Sequence, residues 1–249
     1  MTPHLEYLLR IGDSTLILAQ RLSEWCGHAP VLEEDIALAN IALDLIGQSR
    51  MVLTHAGAVE GKGRDEDQMA FLRTEGQFRN LTLVELPNGD FGRTVLRSFL
   101  FCAFLRELWT ALGTSADAGL AAIAGKSVKE TRYHIQHAGE WVVRLGDGTD
   151  ESHRRMQRAL EELWPYTAEM FVPTPVDEAV RSAGIGVEWT SLRAGWEAAV
   201  MPVLTEATLD VPAPSAFRSQ GIFGVHSEHM GHLLTEMQYL QRVYPGATW

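Results

Sequence analysis

The chain has 249 residues, with 21 Lys and Arg against 32 Asp and Glu, giving a net charge of −11 at pH 7. Apolar residues make up 46% and charged residues 21%, the balance of a globular rather than a disordered chain. The acidic surplus excludes a general nucleic-acid binder and a binder of anionic membrane surfaces. It leaves open that some carboxylates ligate metal. Cys26 and Cys102 form no CxxC pair, and both sit in apolar helical surroundings, so two buried reduced thiols are expected. The opening Met-Thr-Pro-His-Leu lacks a basic region followed by an apolar stretch, so no signal peptide is read. The longest fully apolar run, 99–105, is far short of a membrane span. A cytoplasmic protein is expected.

Helical periodicity runs through the chain. Leu5, Leu8, Leu9, Ile11, Leu16, Leu18 and Leu22 place a first helix over 4–25. Cys26-Gly27-His28-Ala29-Pro30 breaks it. A second helix starts near Leu32, with Glu33, Glu34 and Asp35 in a first turn that suits acids, and runs to about Thr54. Gly57 and the polar stretch 60–67 end it. Each helix spans about 30 Å at ~1.5 Å per residue, and the short turn makes the two an antiparallel hairpin. A second hairpin pairs 91–112 with 120–145 around Gly113-Thr114-Ser115. Its return helix carries Ala124, Val128, Thr131, Ile135, Ala138, Val142 and Leu145, a 4-3-4-3 seam. The stretch 57–90 is long enough to cross from one hairpin to the other. Further helices are expected over 151–171, 177–183 with Asp177 as its cap, 188–209 with Pro202 inside, and 225–243, with a loop over 211–223. No period-2 alternation is sustained. The pattern is all-α: a ferritin-like four-helix bundle forming one domain over 1–249, with its core at about 4–146 and a C-terminal helical extension at about 151–249.

That arrangement commonly holds a carboxylate-bridged di-metal site. It needs an acid from each of two helices and a Glu-x-x-His pair from each of the other two. Positions equidistant from a hairpin turn lie at equal height, so Asp13 and Asp44 could face each other. Three residues after Asp44, however, stands Gly47. The height partner of Glu130 is Leu100, between Phe99 and Phe101. Three residues after Glu130 stands Tyr133, with His134 one position later. Asp13 also fits a solvated polar stripe with Glu6, Arg10, Gln20 and Glu24. No metal site is therefore expected, and Asp13, Asp44, Glu130 and His134 are read as the vestige of one, occupied by a polar network.

His229, His232 and Glu236 share one face of the last helix. Zinc can use such spacing, but three ligands on one helix need a fourth from elsewhere, and they are read as a polar face or a contact between subunits. His134 and His137 are read as satisfied histidines. Arg154, Arg155 and Arg158 form a basic patch that could meet a coenzyme phosphate or simply face solvent. No Gly-x-Ser-x-Gly elbow or activated cysteine is present, and no catalytic residue is assigned.

Five stretches carry a family likeness: 22–30 (LSEWCGHAP), 37–48 (ALANIALDLIGQ), 85–89 (ELPNG), 129–134 (KETRYH), and the ending at 226–231 and 236–242. Through them the whole chain resembles the C subunits of bacterial 1,2-phenylacetyl-CoA epoxidases, multicomponent monooxygenases of phenylacetate breakdown. The resemblance implies a ferritin-like subunit without a working metal centre. It would pair with a catalytic A subunit that holds di-iron and substrate, while a reductase subunit with flavin and iron-sulfur centres supplies electrons from NADPH. Two other roles fit the residues: an independent di-metal oxygenase using Asp44 and Glu130, and a metal store using the C-terminal histidines.

Overall fold

The structure, a computed structural model, describes residues 1–247. Its α-helices are α1 (Pro3–Ser23), α2 (Leu32–Glu60), α3 (Glu66–Phe71), α4 (Thr82–Glu85), α5 (Phe91–Leu112), α6 (Ala118–Gly146), α7 (Asp150–Thr167), α8 (Pro175–Ser182), α9 (Arg193–Glu206) and α10 (Glu228–Val243). No strand occurs among the described residues; Gln220 and Val225 form an isolated bridge. The fold is all-α, and its two long antiparallel helix pairs follow the element order of a ferritin-like bundle.

The described chain divides into two compact units. One holds Met1–Pro87 and the chain from Gln220 onward; the other holds Asn88–Ser219. The C-terminal third is therefore shared: α7, α8 and α9 belong with the second helix pair, and α10 belongs with the first.

In the first unit, Thr2 caps α1 by accepting a hydrogen bond from Leu5 N at 3.3 Å, with Pro3 opening the helix. Almost the whole of α1 is buried, polar residues included. Helix α2 packs on one side of it, while α4 also reaches it from the connecting segment. Helix α2 runs six residues past the expected stop at Thr54. Gly57 does not break it; a Cβ there would lie 2.1 Å from the Arg64 carbonyl oxygen, so the bare Cα is what lets the chain fold back after Gly61. Gly61 itself, at φ 71°, ends the helix.

In the second unit, Asp90 caps α5 through Arg93 N at 2.9 Å, and Asp117 caps α6 through Leu120 N at 3.0 Å. Phe99, Leu100, Phe101 and Phe104 of α5 are fully buried. The Phe104 ring stands edge-on to Trp189 at 5.0 Å and to Phe171 at 6.0 Å. The expected helix 151–171 tightens after Thr167 into a 3-10 turn over Ala168–Phe171, just beyond Pro165. The expected helix 188–209 splits into a 3-10 turn, Trp189–Leu192, and α9, which carries Pro202. Asp177 does not cap α8: Thr174 does, and Asp177 answers it from the third position, accepting from Thr174 Oγ1 at 2.7 Å. Only one cysteine is buried. Cys102 lies in the core of α5, and burial pushes its thiol up to about 12. Cys26 is exposed, because it falls in the turn beyond α1 rather than on a helix face.

Two glycines of α2 should respond oppositely to the same change. Gly57→Ala drives a Cβ into a backbone carbonyl and is expected to destabilise the chain by about 1–3 kcal/mol. At Gly47 a Cβ meets nothing within 4 Å. Gly47→Ala is therefore expected to stabilise by about 0.5–1 kcal/mol through helix propensity alone. Urea unfolding midpoints measure both.

Candidate functional site

The carboxylate at the middle of α1 is not solvated. Asp13 is fully buried and Arg10 beside it is 1% exposed, so the middle of the expected solvent-facing stripe on α1 is interior, while Glu6 and Gln20 are half-buried and Glu24 is exposed. Both Asp13 oxygens are taken by the guanidinium of Arg73, from the segment after α3. Nη1 donates to Oδ2 at 2.9 Å and Nη2 donates to Oδ1. The Arg79 backbone N–H also donates to Oδ2, at 2.8 Å. Arg73 also donates to the Met69 and Gln77 carbonyls and lies 4.3 Å over the Phe78 ring. A bidentate pair with further hydrogen bonds to the backbone is the form in which a buried charge can be tolerated.

A di-iron centre would need donors gathered at one level of the bundle. Gly12 O accepts from Ser49 Oγ at 2.8 Å, and Gly12 packs on Val52 and Leu53. Asp13 is thus level with Gln48, and Asp44 lies about one turn, ~6 Å, away along α2. The expected facing of Asp13 and Asp44 fails because the first turn of α2 projects past the end of α1. In the second unit, Leu100 is fully buried and its carbonyl accepts the Trp196 indole N–H at 2.9 Å. Glu130 is half-buried with Lys126 at 3.9 Å. His134 is buried, and Tyr133, in the ligand slot, is 51% exposed. These donors do not fit a di-iron centre: the best-placed acid is held by a guanidinium, Gly47 and Leu100 carry no ligand atom, and Tyr133 is half exposed to solvent.

The C-terminal trio does not converge either. His229 is half-buried, His232 and Glu236 are exposed, and their ligand atoms do not gather within 4.8 Å of one another. In the basic patch, the side-chain hydrogen bonds of Arg154 and Arg155 hold the Glu151 carboxyl below its usual range, and Asp90 lies 3.8 Å from Arg155. That local pairing offsets the charge a phosphate would have met.

A second buried carboxylate, not among the candidate site residues read from the sequence, anchors the same unit as Asp13. Glu85 is fully buried. Its side chain accepts from Asn80 Nδ2 at 2.9 Å and from Ser227 N at 2.6 Å, and it meets His226 Nδ1 at 2.7 Å. Its carbonyl accepts from Arg21 Nε at 3.0 Å and Nη2 at 2.7 Å. His226 Nε2 faces the Phe78 carbonyl at 3.3 Å. Both ring nitrogens face acceptors, which only the doubly protonated ring can satisfy. Burial works against that charge, but the Glu85 hydrogen bond and charge, with the Phe78 carbonyl, outweigh it and raise the His226 pKa above 6.5.

All 249 residues match the model of the family described as "Phenylacetic acid catabolic protein". The chain belongs to that family. It is also 52% identical over 243 residues to the C subunit of the 1,2-phenylacetyl-CoA epoxidase of Escherichia coli (strain K12), covering 98% of each chain. The family likeness explains two of the sequence stretches that carry it. ELPNG contributes Glu85, and the ending at 226–231 contributes His226 and Ser227, so stretches 141 residues apart in sequence meet in one buried cluster. Arg73 carried no such signal; its segment reads as a polar loop.

Two outcomes follow. Asp13→Asn or Arg73→Ala strands a buried charge and is expected to cost about 3–5 kcal/mol in denaturant unfolding. His226 binds its proton more tightly folded than unfolded. Its contribution is fully present below about pH 6.5 and is lost as pH rises through the raised folded value. Wild-type stability measured across that range should therefore fall relative to Glu85→Gln, whose profile should be flatter.

Proposed function

We propose that this chain is the non-catalytic structural subunit of a 1,2-phenylacetyl-CoA epoxidase, acting in aerobic phenylacetate breakdown in the cytoplasm. It pairs with and stabilises a catalytic A subunit that holds the di-iron centre and the substrate. A reductase subunit with flavin and iron-sulfur centres brings electrons from NADPH, and O2 supplies the oxygen for the aromatic ring. The chain itself binds no redox cofactor.

The observation that carries this reading is the bidentate Arg73–Asp13 pair. A guanidinium seated on both oxygens of a buried carboxylate supplies the charge compensation that a ferrous ion would otherwise give. The likeness to an epoxidase subunit over 98% of each chain supports the partner role. An independent di-metal oxygenase using Asp44 and Glu130 finds no support in the donor geometry, since Glu130 faces Lys126 and Asp44 lies off the level of Asp13.

The test is reconstitution with the catalytic and reductase subunits. Omission of this chain should abolish ring epoxidation or the solubility of the catalytic subunit, while Asp44→Ala with Glu130→Ala should leave turnover unchanged once the catalytic subunit is saturated with this chain. Loss of turnover in that double variant, with the complex intact, would overturn the proposal.

A further inference from the structure

Helix α2 is apolar on two faces. One carries Leu38, Ile41, Leu45, Val52 and Leu53, all buried. The other faces outward: Leu32 is 72% exposed, Ile36 54% and Leu43 65%. Ala39, Ile46 and Gly47 fall on the same stripe, since 32, 36, 39, 43, 46 and 47 lie within about 100° of helical arc over ~22 Å. By length and composition α2 is apolar enough to cross a membrane, yet only 44% of its most apolar window is buried in this chain. Isolated exposed leucines need no explanation, but a continuous stripe on one helix marks an interaction face.

Two features narrow the occupant. Gly47 has open space where its Cβ would stand, and Ala39 adds a second small side chain, so another helix can approach closely there. The margins are acidic: Glu33, Asp35 and Asp44 border the stripe, and no cation occurs between Leu32 and Arg50, which is itself paired with Glu66 at 2.9 Å. Acidic margins repel an anionic membrane surface. They also repel a second copy of the same helix, because self-pairing would set acid against acid. They suit a helix whose own margins are basic.

We infer that the outward stripe of α2 is the docking face for a helix of the di-iron catalytic subunit, an apolar helix bordered by Lys or Arg. This rests on the subunit role proposed above. Ile36 and Leu43 are the side chains it buries, and Gly47 sets the closest approach.

The experiment is co-purification and titration of the full-length chain with its cognate catalytic subunit, wild type against Leu43→Asp, Ile36→Asp and Gly47→Trp. All three positions face outward, so circular dichroism and melting of the lone chain should match wild type. Binding should weaken about 100-fold in each, as for central interface anchors. Asp44→Lys, a charge reversal at the margin, should weaken it less and mainly through slower association. If wild type binds and the folded variants bind equally well, the docking face is wrong while the subunit role stands. If wild type does not bind, the subunit role itself fails and the inference with it. A lone chain that dimerises through Leu43, or that binds anionic phosphatidylserine vesicles through it, would also overturn the assignment.

Discussion

The first unit is organised around one buried ion pair. Asp13 sits at the middle of an almost wholly buried helix, where an unpaired carboxylate would be intolerable. Arg73 makes its burial possible, and in doing so it fixes the path of the connecting segment from Met69 to Leu81. The Arg73 carbonyl then accepts from Gln238 Nε2 and Arg242 Nη2 of α10, each at 3.0 Å. Helix α1, the connection and the last helix therefore converge on one residue. The same contact commits both oxygens of Asp13 to a guanidinium, and it is the observation on which the proposed non-catalytic role rests.

Glu85 repeats the solution on the same unit. Its carboxylate gathers Asn80, His226 and Ser227, while its backbone carbonyl ties back to Arg21 of α1. The two interior carboxylates are thus structural fasteners joining segments distant in sequence. The net charge of −11 takes on a different meaning in this light. Most acids are outside, in helix first turns and ion pairs, and some border the apolar stripe of α2. Of those kept inside, Asp13 is matched by Arg73 and Glu85 by His226, while Glu169 and Asp177 accept from the Ser219 and Thr174 hydroxyls.

The helical periods and the turn signals carried much of the fold. The bounds of α5 were readable because its apolar run is dense and Gly113-Thr114-Ser115 closes it; the class, all-α, follows from the sustained 3.6-residue period. Tertiary facts were harder to read. Asp13 looks solvated because a polar stripe on one helix gives no warning that a distant segment will cover it. The level of Asp44 was misjudged by about one turn because symmetry about a hairpin assumes that both helices stop together, whereas α2 extends beyond α1. Gly57 reads as a breaker in sequence but serves as a point of close backbone approach. That Gly47 and Leu100 depart from the di-metal pattern was plain from the residue types alone, whereas the guanidinium on Asp13 required the fold.

That guanidinium is the centre of the account, and anaerobic ferrous loading of the purified full chain, followed by elemental analysis after gel filtration, tests it most directly. Wild type should retain no more iron than a control protein without a metal site. Stoichiometric iron that disappears in Asp13→Asn would show that the carboxylate serves a metal after all, and would contradict the account at its core.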